Sequence, residues 1–151
     1  MKKFIFKLET LLALRLSRER LYKRELEQVR LKWGQAKEQE IMLNSQTTDL
    51  LVEIQKRRSS GLLDMHETYS QILEHLNQTL FQVRHTLTLL EQQIESQKCR
   101  LKEAIQERKV IEKIKEKHYA SWRLREARSE GALLDEIAFK KSGDVQRGGS
   151  F

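Results

Sequence analysis

No proline occurs anywhere in this 151-residue chain. A globular domain of this size would carry about 5% proline, because proline punctuates loops and breaks helices. Glycine, the other turn-maker, is almost as scarce. Of six glycines, Gly131, Gly143, Gly148 and Gly149 fall near the C-terminal end, which leaves Gly34 and Gly61 for the rest. Sandwiches, barrels and doubly wound sheets each need many turns, so they are excluded. Long helices with very few connections remain.

The apolar residues then decide how many helices there are. A 3-4 spacing runs Ile5, Leu8, Leu12, Arg15, Glu19, Tyr22, Leu26, Val29, Trp33, Ala36, Glu40, Leu43, Thr47, Leu50, Ile54, with 11 of 15 positions apolar. A second runs Tyr69, Leu73, Leu76, Leu80, Val83, Leu87, Leu90, Ile94, Gln97, Leu101, Ala104, Arg108, Ile111, with 11 of 13 apolar. Lys, Arg, Glu and Gln flank both lines, which is the pattern of a coiled-coil seam. Between them lies Arg57-Arg58-Ser59-Ser60-Gly61, where glycine can adopt the left-handed conformation that ends a helix. Asp64 followed by Glu67 resembles a capping box. The sequence therefore predicts an all-α single domain over 1–139: helix one at about 4–58, a turn at 59–63, and a longer helix two at about 64–139. The polar, glycine-rich segment 140–151 is expected to be a flexible tail.

A short turn makes the helices antiparallel neighbours. Facing residues should then have numbers with a constant total. Ile54 with Tyr69, Leu50 with Leu73, Leu43 with Leu80, Trp33 with Leu90, Val29 with Ile94, Tyr22 with Leu101 and Leu12 with Ile111 all add to 123. Neither line was chosen to give this agreement, so an intramolecular hairpin is favoured over a dimeric or filamentous coil. One layer opposes Arg15 to Arg108, and both are expected to splay into water. Helix one runs out near Phe4, opposite about Tyr119. Residues 120–139 are then an unpartnered overhang of about 30 Å at 1.5 Å per residue. The overhang carries Trp122, Leu124, Leu133, Leu134, Ile137 and Phe139. Phe4, Phe6, Leu8, Leu11 and Leu12 supply more apolar surface than one seam uses. Either the N-terminal end is wrapped by helix two, or both ends together form a docking end.

The remaining chemistry is sparse. Net charge is +7, and Lys98 to Arg128 holds 11 Lys or Arg against five Glu. The glutamates are interspersed and no helix-turn-helix, zinc or basic-zipper pattern accompanies them, so a solvated face or an acidic protein partner is favoured over nucleic acid. His66, His75, His85 and His118 include no pair at helical ligand spacing and make no zinc site with Cys99. No phosphate-binding glycine loop and no nucleophile–base constellation is present, so neither enzyme activity nor a cofactor or metal is expected. A single cysteine suits a reducing compartment. Met1-Lys2-Lys3-Phe4-Ile5-Phe6 imitates the start of a signal peptide, but Lys7, Glu9 and Arg15 interrupt the apolar run. No apolar stretch exceeds four residues, which excludes a membrane-spanning helix. The expected location is the cytoplasm.

Two segments carry a family resemblance. Phe4-Ile5-Phe6-Lys7-Leu8-Glu9-Thr10-Leu11-Leu12-Ala13-Leu14-Arg15 resembles the start of the FliJ family of flagellar type III export proteins: aromatic-x-aromatic-x-leucine, a leucine pair, then arginine. Arg108-Lys109-Val110-Ile111-Glu112-Lys113-Ile114-Lys115-Glu116-Lys117, then Glu130, then Leu134-Asp135-Glu136-Ile137-Ala138 are similar to the family's C-terminal part. Ser129-Glu130-Gly131 departs from it, since the family more often has a charged or glutamine-rich stretch there. The resemblance implies a non-enzymatic stalk that inserts into the hexameric export ATPase and stimulates it, contacts the membrane export gate, and escorts export chaperones. It implies an ATPase-binding end formed by Phe4, Phe6, Leu8, Leu11, Leu12 and Arg15 with Trp122, Arg125, Glu130, Asp135 and Glu136. It also implies a peripheral position at the inner face of the cell membrane. The competing readings are the stalk of a virulence-type secretion system and, from another class, a nucleic-acid-binding basic coiled coil.

Overall fold

The computed structural model describes residues 2–61 and 65–148, with side chains up to 144. It contains two helices, α1 (Glu9–Ser59, 51 residues) and α2 (His66–Gly148, 83 residues), and no strand among the described residues. The fold is all-α, an antiparallel coiled-coil hairpin whose second helix is the longer.

Local chemistry explains the helix ends. Lys56, Arg57 and Arg58 occupy the last turn of α1, where cations complement the negative end of the helix dipole. The Ser60 amide and hydroxyl both donate to the Lys56 carbonyl, at 3.1 and 3.0 Å. Gly61 follows with φ of 75°, a conformation that a side chain would strain. Glu67 lies in the first turn of α2, and the Tyr69 amide donates to the Met65 carbonyl at 3.0 Å. Asp64, the expected cap, lies outside the described residues, as do 62–63 and 149–151.

Two boundaries differ from expectation. α1 begins at Glu9 rather than near Phe4. Phe4 is half-buried, Ile5 is 82% exposed and Phe6 is 7% exposed, an alternation with a period of two. In a helix, residues two apart point to opposite sides, so burying both phenylalanines demands extended backbone. At the other end α2 continues through Gly131 to Gly148, past the boundary expected near 139. Nothing in 140–148 is a proline, and Lys140 Nζ reaches Glu136 at 3.5 Å, one turn back. Residues 132–144 are exposed throughout, so this stretch rests on local hydrogen bonds alone.

Contacts group the chain into two units, Arg18–Ala104 and Met1–Ser17 with Ile105–Phe151. In the first unit, the two helices are linked by pairs that descend α1 as they ascend α2. Arg57 lies over the Tyr69 ring at 4.9 Å, Arg84 donates to Asn44 at 3.2 Å, the Trp33 indole N–H donates to Glu91 at 3.3 Å, and Arg100 lies over the Tyr22 ring at 4.6 Å. Ala36, Leu87 and Leu90 form a buried cluster flanked by Val29, Trp33 and Val83. Leu26, Leu80 and Ala104 are also buried. Tyr22, Leu43, Leu50, Ile54, Tyr69, Leu73, Ile94 and Leu101 are half-buried. No described side chain is completely shielded, because one helix can cover only one stripe of another.

This exposure pattern makes a discriminating pair of substitutions. Leu87→Ala, at a buried position, should lower unfolding free energy by about 2 kcal/mol or more. Leu89→Ala, at an exposed one, should change it by about 0.5 kcal/mol or less. Urea melts followed by circular dichroism measure both.

Candidate docking site

The second unit holds the N-terminal segment, the first two turns of α1 and α2 from Ile105 onward. Its core is Phe6, Leu12 and Ile111, with Phe4, Leu11, Leu16 and Ile114 packed around them. Two hydrogen bonds turn the extended segment into α1: the Glu9 amide donates to the Phe6 carbonyl at 3.2 Å and the Leu12 amide to the Leu8 carbonyl at 2.9 Å. Lys115 Nζ ties that turn to α2 through Glu9, at 2.8 Å.

The two phenylalanines clamp α2 from the side. The Phe4 ring meets Tyr119 edge-on at 5.2 Å and Trp122 at 5.7 Å, while Tyr119 and Trp122 stack at 5.8 Å. The Phe6 ring meets His118 edge-on at 5.8 Å, and Lys115 Nζ lies 5.9 Å from its centre. Such aromatic pairs add about 0.5–1.5 kcal/mol beyond the area they bury. The wrapping of the N-terminal end by α2 therefore consumes Phe4, Phe6, Leu11 and Leu12. Leu8 stays exposed, and Ile5 points outward between the two phenylalanines.

The arginine layer departs from expectation. Arg15 and Arg108 do not splay into water. Both are half-buried, Arg15 paired with Glu107 and Arg108 with Glu112, the latter at 2.8 Å. Flanking glutamates one residue before and four after Arg108 supply the countercharge, which makes retention at the seam less costly than exposing the neighbouring apolar layers. That glutamate spacing was the available signal. Tyr119, three residues before Trp122, was likewise visible as a helical neighbour of a predicted site residue.

Beyond Trp122, none of the described residues of other segments packs onto α2. Arg125, Glu130, Asp135 and Glu136 are exposed and lie away from the N-terminal clamp along the helix; Glu136 pairs with Lys140. Leu124, Leu133, Leu134, Ile137 and Phe139 are exposed large apolar residues on the same stretch. Half-buried Trp122 marks the limit of the clamp. The basic stretch is partly neutralised within the chain, Lys98 by Glu95, Arg100 by Glu25 at 3.8 Å, Arg108 by Glu112 and Lys115 by Glu9. What this end offers chemically is a helix with unmatched apolar side chains, anchored at its base by an aromatic clamp.

The clamp predicts a spectroscopic response. In a Trp33→Phe background, Phe4→Ala should shift Trp122 fluorescence to longer wavelength, and Ile5→Ala should leave it unchanged. Phe6→Ala should cost about 3 kcal/mol locally, seen as faster amide exchange over residues 9–16.

The family model described as "Flagellar FliJ protein" matches residues 3–146. Comparison with curated proteins and with solved structures gives no match.

Proposed function

The chain belongs to the FliJ family of flagellar proteins, and from that premise we propose how its docking end is used. The match fits flagellum biogenesis and protein transport through type III export, and in our reading the chain serves there as a non-enzymatic stalk and chaperone escort. In the proposed reading, the α2 overhang enters the pore of the hexameric export ATPase and stimulates it. The contacting residues are Trp122, Arg125, Glu130, Asp135 and Glu136, with Leu8 and Arg15 at the base and the Phe4, Phe6, Leu11 and Leu12 cluster holding that base rigid. The chain further contacts the membrane export gate and escorts export chaperones, working from the cytoplasm at the inner face of the membrane.

One observation carries this reading: α2 outlasts its partner and presents Leu133, Ile137 and Phe139 uncovered. An isolated helix with such residues is marginal in water and gains by insertion into a protein lining. No helix of the described residues is long and apolar enough to cross a membrane, which fits a peripheral role at the gate. The match to a flagellar family favours that branch over a virulence system.

Deletion of 120–151, or Asp135→Lys with Glu136→Lys, should abolish stimulation of the cognate ATPase while circular dichroism shows that the remaining helices persist. Stimulation that survives both changes would refute the insertion.

A further inference from the structure

A second apolar line runs along the overhang, separate from the one that packs on the N-terminal segment. Ala120, Leu124, Ala127, Gly131, Leu134 and Ala138 follow one another at intervals of four and three, the heptad spacing of a coiled-coil seam. At about 100° per residue this line sits roughly 150° around α2 from Ile111, Lys115 and Trp122. Leu124 is 60% and Leu134 65% exposed, the three alanines are exposed, and a Cβ at Gly131 would meet nothing within 4 Å. A complete seam is present, and among the described residues no helix is laid against it.

The identity of the missing helix is written in the seam. Read backwards, the series maps onto itself: Ala120 opposes Ala138, Leu124 opposes Leu134, and Ala127 opposes Gly131, each pair adding to 258. Large side chains thus meet large ones, and small ones meet small, when a second copy lies antiparallel about residue 129. The charges obey the same reversal. Arg123 and Arg128 border the first half of the line and Glu130 and Asp135 the second, each about 60–80° around the helix from it. Antiparallel copies set the basic half of each over the acidic half of the other, and parallel copies set like on like. Such self-complementarity is the signature of a two-fold, isologous contact. It also gives a reason for Gly131, which costs about 1 kcal/mol in a helix interior relative to alanine. Opposite Ala127 it lets the backbones approach closely.

We propose that 120–138 is a self-association surface, through which two copies of the chain pair antiparallel along the Ala120–Leu124–Ala127–Gly131–Leu134–Ala138 face. Nineteen helical residues span about 28 Å. A contact of that length falls at or below the small end of stable interfaces, so the dimer is weak and reversible. It lies on the side of α2 away from the aromatic clamp and leaves the clamp intact.

Sedimentation velocity on the full chain, from low micromolar to several hundred micromolar, reads the association directly. A concentration-dependent dimer is expected. Leu124→Glu with Leu134→Glu should weaken it at least about tenfold with helicity unchanged, and Leu133→Glu with Ile137→Glu, on the other face, should leave it in place. In a Cys99→Ser background, chains carrying Ala127→Cys and chains carrying Gly131→Cys should form a mixed disulfide on oxidation in preference to either self-disulfide. A monomer at every concentration, a dimer indifferent to the Leu124 and Leu134 changes, or self-disulfides that dominate the mixture would each overturn the proposal.

Discussion

Neither helix of this protein is built to stand alone, and the stripe they share is what the rest depends on. An isolated helix in water is held by local hydrogen bonds and is marginal, so its persistence comes from covering an apolar face. Here that face is narrow. Even at buried positions such as Leu26, Leu80, Leu87 and Ala104 the shielding is incomplete, since the described residues form two helices and no third layer. Cross-helix contacts at the stripe's edges supplement it: Arg100 over Tyr22 and Arg57 over Tyr69 cover apolar ring faces with side chains whose charge stays in water.

The polar breaks in the stripe have a physical use. Glu19 is buried at a seam position and takes Lys23 at 3.2 Å, while Arg15 and Arg108 are held by Glu107 and Glu112. Each break weakens the pairing relative to leucine. The Arg15–Glu107 pair, which crosses from one helix to the other, also penalises a wrong register, because it forms in one alignment only, whereas the Glu19–Lys23 and Arg108–Glu112 pairs lie within a helix. A slip of one heptad would set Arg15 against Lys115 or Leu101 and strip it of Glu107. Apolar layers alone tolerate such a slip, since leucine meets leucine again seven residues on.

These same features explain what could be read from the amino acids. Heptad spacing is local and arithmetic, so the two stripes, their antiparallel sense and the position of the turn at Gly61 are all legible without a structure. The N-terminal segment was not. Ile5 and Leu8 continue the 3-4 spacing and so pass as seam, yet Ile5 is 82% exposed and Phe6 is buried in its place. Three residues of alternation are too few to announce extended backbone, and the deciding fact, that Tyr119 and Trp122 wait on α2, lies more than a hundred residues away. The arginine layer failed for a related reason. The seam positions were visible, but the countercharges sit just off the seam, where the spacing does not look. At the docking end, the sequence named the aromatic residues and the overhang together, and the structure separates their duties: Phe4 and Phe6 are spent on α2, and the uncovered surface is the helix beyond them.

That separation bears on how one helix can serve more than one contact. Leu133 and Ile137 fall on the side of α2 that continues from Trp122, whereas Leu124 and Leu134 fall on the far side. A partner on the first side extends the line along which the N-terminal segment already packs. A second copy on the other side uses residues that this line never touches. The charges lie between them: Asp135 borders the Leu124–Leu134 side and Glu136 the Leu133–Ile137 side, about 100° apart on a helix only about 10 Å across. If both proposed contacts form, occupation of one face would change the field at the other through these neighbouring carboxylates, and the two contacts would be coupled through charge without a shared apolar anchor.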